Sequence, residues 1–437
     1  MGQRDRILAQ VFGFDGFKIA CGFETQTGVV VNVQSPPSSL RGCTLVLTVT
    51  RRWVARCAGC GRACGKVHTR LAPRRWADLP WGGHAVVIEY APVRVRCAHC
   101  DSTAVEMIAW AEPKQRQTRR LQQHIAVQAL SMPTSHVAAL NALDWSTVQR
   151  CTDAAIDRWL TTRQKPQLSH VGVDEKYLGR RAKGRVDKFI TIVSDLKTGE
   201  PVWIGNGRRE ETLAQWLSSL SAQDKSALRV FAMDMHEPFA NAVRADAALS
   251  HVAISHDPFH IIKRVGQAVD EVRRMVLFRA GPELRAIGSG KRWLFLRGAE
   301  RLTDEQHDAL ADVLKGNRKL LLAYTVKEQM RDALRATDAH DMNTQLTAVL
   351  RRIARRDNVP MRKLHDSLHN HREAILALAE HRPPTGRIEA LNNNWETLVR
   401  RGRGYRNLQR VLNYLRFMTI NPVRNADGIR HFLALAA

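Results

Sequence analysis

The chain has 437 residues, 44% hydrophobic and 25% charged, which is enough apolar content for buried cores and a length that predicts about three domains. Its 67 Lys and Arg against 42 Asp and Glu leave a net charge of +25 and predict a polyanionic partner, because basic surfaces release counterions from phosphates; nucleic acid fits this better than a membrane. No apolar run approaches the roughly 18 residues of a transmembrane helix, and the start lacks the basic and apolar regions of a signal peptide, so a cytoplasmic protein without a membrane partner is expected.

Val11-Phe12-Gly13-Phe14-Asp15-Gly16-Phe17-Lys18-Ile19 predicts a short helix or turn followed by a strand. Ser35-Pro36-Pro37-Ser38-Ser39 predicts a loop, and Thr44-Leu45-Val46-Leu47-Thr48-Val49 a strand. Cys57-Ala-Gly-Cys60 and Cys97-Ala-His-Cys100 then form two Cys-x-x-Cys knuckles. In a reducing compartment such pairs predict metal rather than disulfides. Each knuckle puts two thiolates on one side, and two knuckles complete a tetrahedron around zinc. Four protein ligands leave no open position, so this zinc is expected to be structural. Cys64 and His99 read as bystanders, with His68 an outside alternative ligand. Ala85-Val86-Val87-Ile88-Glu89-Tyr90 and Val93-Arg94-Val95-Arg96 read as a strand pair leading into the second knuckle. Arg74, Arg75, Trp76 and Trp81 suit either a DNA contact or a small core.

Residues 115–165 read as helical. A helix over Arg119–Met132, a break at Pro133-Thr134-Ser135, a short helix over residues 136–140, a turn around Leu143-Asp144-Trp145-Ser146 and a helix over Thr147–Leu160 describe a helix-turn-helix. Its second helix is expected to present Thr147, Gln149, Arg150 and Asp153 to DNA; the alternative is an ordinary helical hairpin between domains. Residues 168–204 read as three strands joined by polar turns, the first carrying Asp174 and Glu175. A helix over residues 207–220, a strand over 228–234 ending in Asp234, a helix over 238–248 and a short strand over 251–257 follow. That element order predicts a ribonuclease-H-like α/β fold, with ligands at the strand ends. Residues 264–382 are largely helical, with helices over 304–315, 318–336, 343–356 and 361–379, and read as an insertion. Pro383-Pro384-Thr385-Gly386 stops them, a helix from about Arg387 carries Glu389, and Leu408–Ile420 closes the chain.

The predicted architecture is therefore multidomain: a small four-cysteine zinc-binding domain over 1–112, a helix-turn-helix over 113–166, a ribonuclease-H-like α/β catalytic core beginning over 167–263, a long all-helical insertion over 264–382, and the last part of the core over 383–437. Asp174, Asp234 and Glu389 stand where they could converge. Three carboxylates in one cleft need neutralising, and two magnesium or manganese ions would do so while serving phosphoryl displacement. Side chains alternate along a strand, so Glu175 is expected to face away from Asp174. Asp257 and His260 fall near the same sheet edge, and either orient a ligand or bond the backbone. Asp195 reads as a turn residue. Arg400, Arg401, Arg403 and Arg406 follow Glu389 closely, as phosphate contacts or as a solvated basic face.

Several blocks together resemble the ISL-three family of bacterial insertion-sequence transposases, of the D-D-E class. Cys57-x-x-Cys60, His68-Thr69-Arg70, Asp78-Leu79-Pro80 and Cys97-x-x-Cys100 are similar to its N-terminal zinc region. Gly172-Val173-Asp174-Glu175 and Met233-Asp234-Met235-x-x-Pro238-Phe239 are similar to its first two acid blocks. Asp257-Pro258-Phe259-His260-Ile261-Ile262-Lys263 and Arg292-Trp293-Leu294-Phe295-Leu296 continue the likeness, and Glu389-x-x-Asn392 with Gly404-Tyr405-Arg406-Asn407 is similar to the third acid block. The resemblance runs from about residue 43 to 420. Ala390, Thr385-Gly386 and His236 depart from the family pattern, and none of them removes a carboxylate. The resemblance implies that Asp174, Asp234 and Glu389 bind catalytic magnesium or manganese, with Asp257, His260 and Asn392 around them. It implies a DNA transposase that recognises terminal inverted repeats through its zinc and helix-turn-helix regions, cleaves, and joins the freed 3′-hydroxyl to target DNA. It further implies a dimer or larger assembly associated with the bacterial nucleoid. The alternatives are a transposase-derived DNA-binding regulator without catalysis and a stand-alone metal-dependent nuclease.

Overall fold

The computed structural model of the chain describes residues 14, 17–32, 42–178, 187–279, 281–282, 290–354, 358–402 and 407–435. Arg403 and Arg406, and the loop expected at Ser35-Pro36-Pro37-Ser38-Ser39, lie outside the described residues. Contacts divide the chain into two compact units, residues 1–164 with 397–437, and residues 165–396.

The first unit opens with β1 (Phe17–Glu24), β2 (Val30–Asn32), β3 (Thr44–Arg51), β4 (Ala55–Arg56), β5 (Ala63–Cys64), β6 (Val67–Arg70), β7 (Arg74–Trp81), β8 (His84–Tyr90), β9 (Val93–Arg96) and β10 (Thr103–Val105). They form a five-stranded sheet in the order β2-β1-β3-β8-β7, a three-stranded sheet β10-β9-β6, and the pair β4-β5. The expected pairing of β8 with β9 is corrected here: β8 lies between β3 and β7, while β9 lies between β6 and β10. Two cores draw the strands apart. Val86, Ile88 and Tyr90 pack with Leu45, Leu47, Trp76 and Trp110, whereas Val93 and Val95 pack with Cys57, Cys64 and Cys97. Pro92 stands between them without an N–H for either ladder.

Helices α1 (Arg119–Ala129), α2 (Thr134–Leu140) and α3 (Trp145–Thr161) follow. The Thr118 hydroxyl caps α1 by accepting from the Leu121 N–H, satisfying one of the donors a helix start leaves free. Leu121, Ile125, Val137, Ala138, Val148 and Cys151 hold the three helices together at helical spacing.

The second unit carries β11 (His170–Tyr177), β12 (Phe189–Asp195), β13 (Pro201–Asn206), β14 (Val230–Met233) and β15 (Ala253–His256) in one sheet, in the order β13-β12-β11-β14-β15. The β11-β12-β13 ladder is antiparallel, while β11-β14 and β14-β15 are parallel. Helices α4 (Glu210–Ser218), α5 (Ala222–Ala227) and α6 (Glu237–Ala245) lie between strands in the chain, and apolar residues of α4 and α6 cover one sheet face over Val171, Val173, Phe231 and Met233. After β15 the described chain is helical: α7 (Pro258–Arg279), α8 (Arg292–Leu296), α9 (Asp304–Leu314), α10 (Arg318–Ala333), α11 (Ala339–Ile353), α12 (Val359–Asn370) and α13 (Arg372–His381). Their apolar stripes meet in one cluster around Val265, Phe295, Leu320, Leu346 and Leu364. The single helix expected over 361–379 is two helices, broken at His371 (φ −100, ψ 13). Neither Gly nor Pro marks that break; the side chain of His371 is held from outside the helix, as described below.

Helix α14 (Gly386–Gly402) leads to α15 (Leu408–Ile420) and α16 (Ala426–Ala434). Residues 397–437, read from sequence with the core's last part, cluster with the first unit, and α16 extends the chain beyond the helix expected to close it. No helix among the described residues is long and apolar enough to cross a membrane.

Candidate active site and metal centre

The parallel ladder fixes the place of two predicted acids. Gly172 pairs with Ala232 and Val173 with Met233, so Asp174 and Asp234 follow as neighbours where the pairing of β11 with β14 stops, β11 itself continuing beside β12 to Tyr177. Met233 pairs in turn with His256, which puts Asp257 beside Asp234 on the next strand. Three aspartates on adjacent strands thus stand side by side: Asp174 inside β11 where its pairing with β14 stops, Asp234 just past β14 and Asp257 just past β15, near the strand ends where α/β sheets carry ligands.

Helix α14 starts over this edge. Ile388 packs with Leu196 and Ala232 on the sheet face opposite α4 and α6. A Cβ at Gly172 would lie 2.8 Å from Leu196, 2.9 Å from the Ser194 hydroxyl and 3.0 Å from Ile388. Only glycine admits the helix this close. Thr385, just before the helix, lies close enough to the Asp257 carboxylate to help hold its charge. Glu389 follows Ile388 in the first turn and is exposed.

Each of these acids has its own partners. The Asp174 carboxylate takes the Glu175 N–H at 2.8 Å and faces the Lys176 ammonium at 2.7 Å. Its Oδ2 is enclosed and accepts no well-directed hydrogen bond, so the lysine contact is ionic rather than directional. Asp234 takes the Met235 N–H at 2.5 Å and meets His260 Nδ1 at 3.1 Å. Burial alone would raise the pKa of Asp234, but the hydrogen bond and charge of His260, the Met235 N–H and Arg264 hold it below the ordinary carboxylate value. His260 is raised for the complementary reason, its hydrogen bond to Asp234. Burial raises Asp257, against the Phe259 N–H, His260 and Thr385. Oxygen donors of this kind suit magnesium or manganese. Among the described residues, however, Asp174, Asp234 and Glu389 do not converge as tightly as a ligand set; the four knuckle cysteines do. Asn392 is half-buried one turn beyond Glu389 on α14.

Glu175 turns to the other face, as its place in the strand requires. Its carboxylate meets Arg208 at 3.0 Å and His236 Nε2 at 4.0 Å. Asp195 is a turn residue with both oxygens taken by the N–H groups of Lys197 and Thr198, each at 3.1 Å. Sequence reading missed Lys176, whose two-residue spacing from Asp174 was the available signal, and Thr385, Ile388 and His256, which carry none.

Cys57, Cys60, Cys97 and Cys100 bring their sulfurs within 4.8 Å of one another. Sγ–Sγ distances of 3.6 Å for Cys57–Cys100 and for Cys60–Cys97 are close to the tetrahedral edge of about 3.8 Å that zinc–sulfur bonds of about 2.3 Å define. N–H groups of Cys60 and Gly59 pull Cys57 down to about 6 and those of Cys100 and His99 lower Cys97, while burial and the neighbouring thiols raise Cys60 to about 11, so two of the four thiols are held toward the thiolate at the expense of a third. The residues present fit zinc. His99 bonds Arg62 at 2.9 Å and exposed His68 bonds Thr69 at 2.7 Å, so both are engaged elsewhere. Of the residues between the knuckles, Trp76 is core and Arg75 pairs with Glu24 and Glu89, while Trp81 is exposed.

In the helix pair, the expected exposure of Thr147 is corrected. Helix α3 starts two residues earlier than read, at Trp145, and Thr147 is 7% exposed beside the buried Val148 and Cys151. Arg150 folds back to donate to its hydroxyl at 2.8 Å. The exposed start of α3 carries Trp145, Ser146 and Arg150, with Gln149 half-buried. Asp153 is half-buried against Arg410 at 2.8 Å. Arg401 donates to the Leu130 carbonyl at 2.6 Å, and Arg400 is exposed on the same helix.

Comparison with known proteins bears directly on this arrangement. The DDE-domain model of the ISL3 transposases matches residues 171–414, more than half of the chain and all three predicted acids. The chain belongs to the ISL3 family of transposases. A second model, the helix-turn-helix domain of that family, matches residues 106–155, covering α1, α2 and most of α3. The transposase for insertion sequence element IS1001 of Bordetella parapertussis is 26% identical over 389 residues, spanning 86% of this chain and 91% of that protein. The transposase for IS1557 of Mycobacterium tuberculosis is 26% identical over 396 residues, spanning 82% of this chain and 84% of that protein.

Proposed function

We propose that this family member is an active D-D-E transposase that binds the terminal inverted repeats of its element, cleaves there and transfers the freed strand to target DNA. The observation that carries this reading is the register of β11 and β14, which sets Asp174 beside Asp234, with the first turn of α14 seated over the same edge through Ile388 and Thr385. The strand order and the mix of parallel and antiparallel ladders favour a ribonuclease-H-like core, and the helices between β15 and α14 then read as an insertion in it.

Asp174, Asp234 and Glu389 would hold two magnesium or manganese ions, with Asp257, His260 and Asn392 beside them. Such ions, when bound, activate the attacking oxygen and stabilise the leaving one in phosphodiester displacement. The chain's own part is placement. The ladder spaces the two aspartates, and His260 keeps Asp234 ionised. Ile388 seats the helix that carries Glu389 on the sheet, with Thr385 beside Asp257. Cys57, Cys60, Cys97 and Cys100 would hold a structural zinc that ties β9 and its neighbours into a module without a catalytic opening. DNA would be gripped by the start of α3, Gln149 and Arg150 included, and by the basic segment Arg400, Arg401, Arg403 and Arg406. Joining two element ends calls for a dimer or larger assembly, working in the cytoplasm at the nucleoid.

A plasmid carrying the DNA that flanks the gene tests this. Magnesium-dependent cleavage at inverted repeats is expected from the intact chain. End binding without cleavage under any divalent ion would favour a DNA-binding regulator instead.

A further inference from the structure

His371 stands at the break between α12 and α13, and its imidazole is held by His256 of β15. Its Nδ1 lies 3.0 Å from His256 Nε2, with His256 1% exposed and His371 9% exposed. The other nitrogen of His256, Nδ1, lies 3.4 Å from the Met233 carbonyl oxygen. A carbonyl only accepts, so the proton of a neutral His256 sits on Nδ1 and its Nε2 accepts; His371 Nδ1 then donates to it at 3.0 Å, with the Glu237 carboxylate farther off at 3.5 Å from the same nitrogen and suited to keep the proton there. Burial, reinforced by the charge of His371, lowers His256 to about 4, which keeps it neutral near pH 7. The chain of donors therefore runs in one direction, from His371 to His256 to the Met233 carbonyl.

That carbonyl is where the chain meets the site. It belongs to the peptide whose nitrogen is that of Asp234, and it also accepts the Asp257 N–H at 3.1 Å. On the far side of Asp234, the Met235 side chain packs into the core of the helical segment with Ile261, Ile375 and Leu378. Helix α13 packs along β15. Both neighbours of Asp234 are thus held by the helices that separate β15 from Glu389.

We propose that His371 and His256 are positioning residues for Asp234, through which the helical segment sets where this carboxylate stands. The proposal rests on the reading of Asp234 as a metal-binding acid. A hydrogen-bonded partner behind a metal-binding group typically governs tenfold to hundredfold in metal affinity or activity, on the order of magnitude expected here.

The test uses the full chain and a plasmid carrying the gene's flanking DNA, with cleavage followed against magnesium concentration. His371→Leu removes the donor. It is expected to raise the magnesium needed for half-maximal cleavage about tenfold or more, leaving end binding unchanged. His371→Asn places an amide N–H near the position of Nδ1 and is expected to recover most of the wild-type magnesium response. Leu behaving as wild type, or Leu and Asn failing equally while both remain folded, would overturn the proposal. Should Leu fail to fold, ¹⁵N spectra of the unaltered chain decide, with His256 assigned by comparison with His256→Asn. A neutral Nδ1–H form at His256 is expected, and the Nε2–H form would contradict the chain of donors. The underlying reading fails separately, if Asp234→Asn still cleaves.

Discussion

Asp174 and Glu175 are adjacent in the chain and face opposite sides of the sheet: the first meets Lys176 at 2.7 Å, the second Arg208 at 3.0 Å. Two carboxylates that look equivalent in sequence therefore have separate fates. Glu175→Gln gives up a partly exposed ion pair worth about 0–1 kcal/mol and should keep cleavage within about tenfold of wild type. Asp174→Asn should reduce it at least about a hundredfold. Parallel cleavage assays on the two purified variants check this, and a reversed order would show that the strand presents the other face to DNA.

The thiolate cluster predicts a clean split among cysteines. Cys57→Ser or Cys97→Ser should lose zinc and loosen the small sheet around β9, because metal binding and folding of such modules are one equilibrium. Cys64→Ser should keep its zinc, as Cys64 lies outside the four-sulfur group. Metal analysis of the purified proteins, with circular dichroism before and after chelation, reads both outcomes.

Much of the fold and of the candidate site is legible in the sequence. The Cys-x-x-Cys spacing suffices for the four-sulfur cluster because a knuckle is local. Strand alternation suffices for Asp174 against Glu175. The first-unit sheets were not legible: β8 and β9 look like a hairpin until the separate cores around Trp76 and Cys57 are known. The break at His371 is hidden for the same reason: its partner His256 is far away in sequence, and neither Gly nor Pro marks it, only Asn370. Thr147 was misplaced by a start assigned two residues late, enough to move it from the buried face to an exposed one.

The Asp78-Leu79-Pro80 block gains a structural account. Asp78, 4% exposed, accepts from the Thr118 hydroxyl at 2.7 Å and from Arg120 Nε at 2.6 Å, joining β7 to the cap of α1. Arg120→Ala would leave this carboxylate enclosed with its charge uncompensated, costing about 3 kcal/mol. Thr118→Ala would cost about 1–2 kcal/mol through the lost cap. Chemical denaturation of the full chain should rank the variants in that order.

His256 makes stability depend on pH. Its folded pKa, about 4, lies below the ordinary 6.5, so between these values the unfolded chain takes up a proton that the folded one refuses. Its contribution is complete above pH 6.5 and is lost as pH falls toward 4, by up to about 3 kcal/mol. His256→Asn should flatten the wild-type decline across that window. An unchanged slope in denaturation midpoints would show that His256 titrates normally.

Asp174, Asp234 and Glu389 are proposed to form one metal-dependent centre. The most direct measurement is cleavage of DNA bearing the element's ends by Asp174→Asn, Asp234→Asn and Glu389→Gln, each compared with the unaltered chain in magnesium and in manganese. All three should bind the ends normally and cleave at least about a hundredfold more slowly. Full cleavage by any one of them would remove that residue from the centre, and full cleavage by all three would contradict the account.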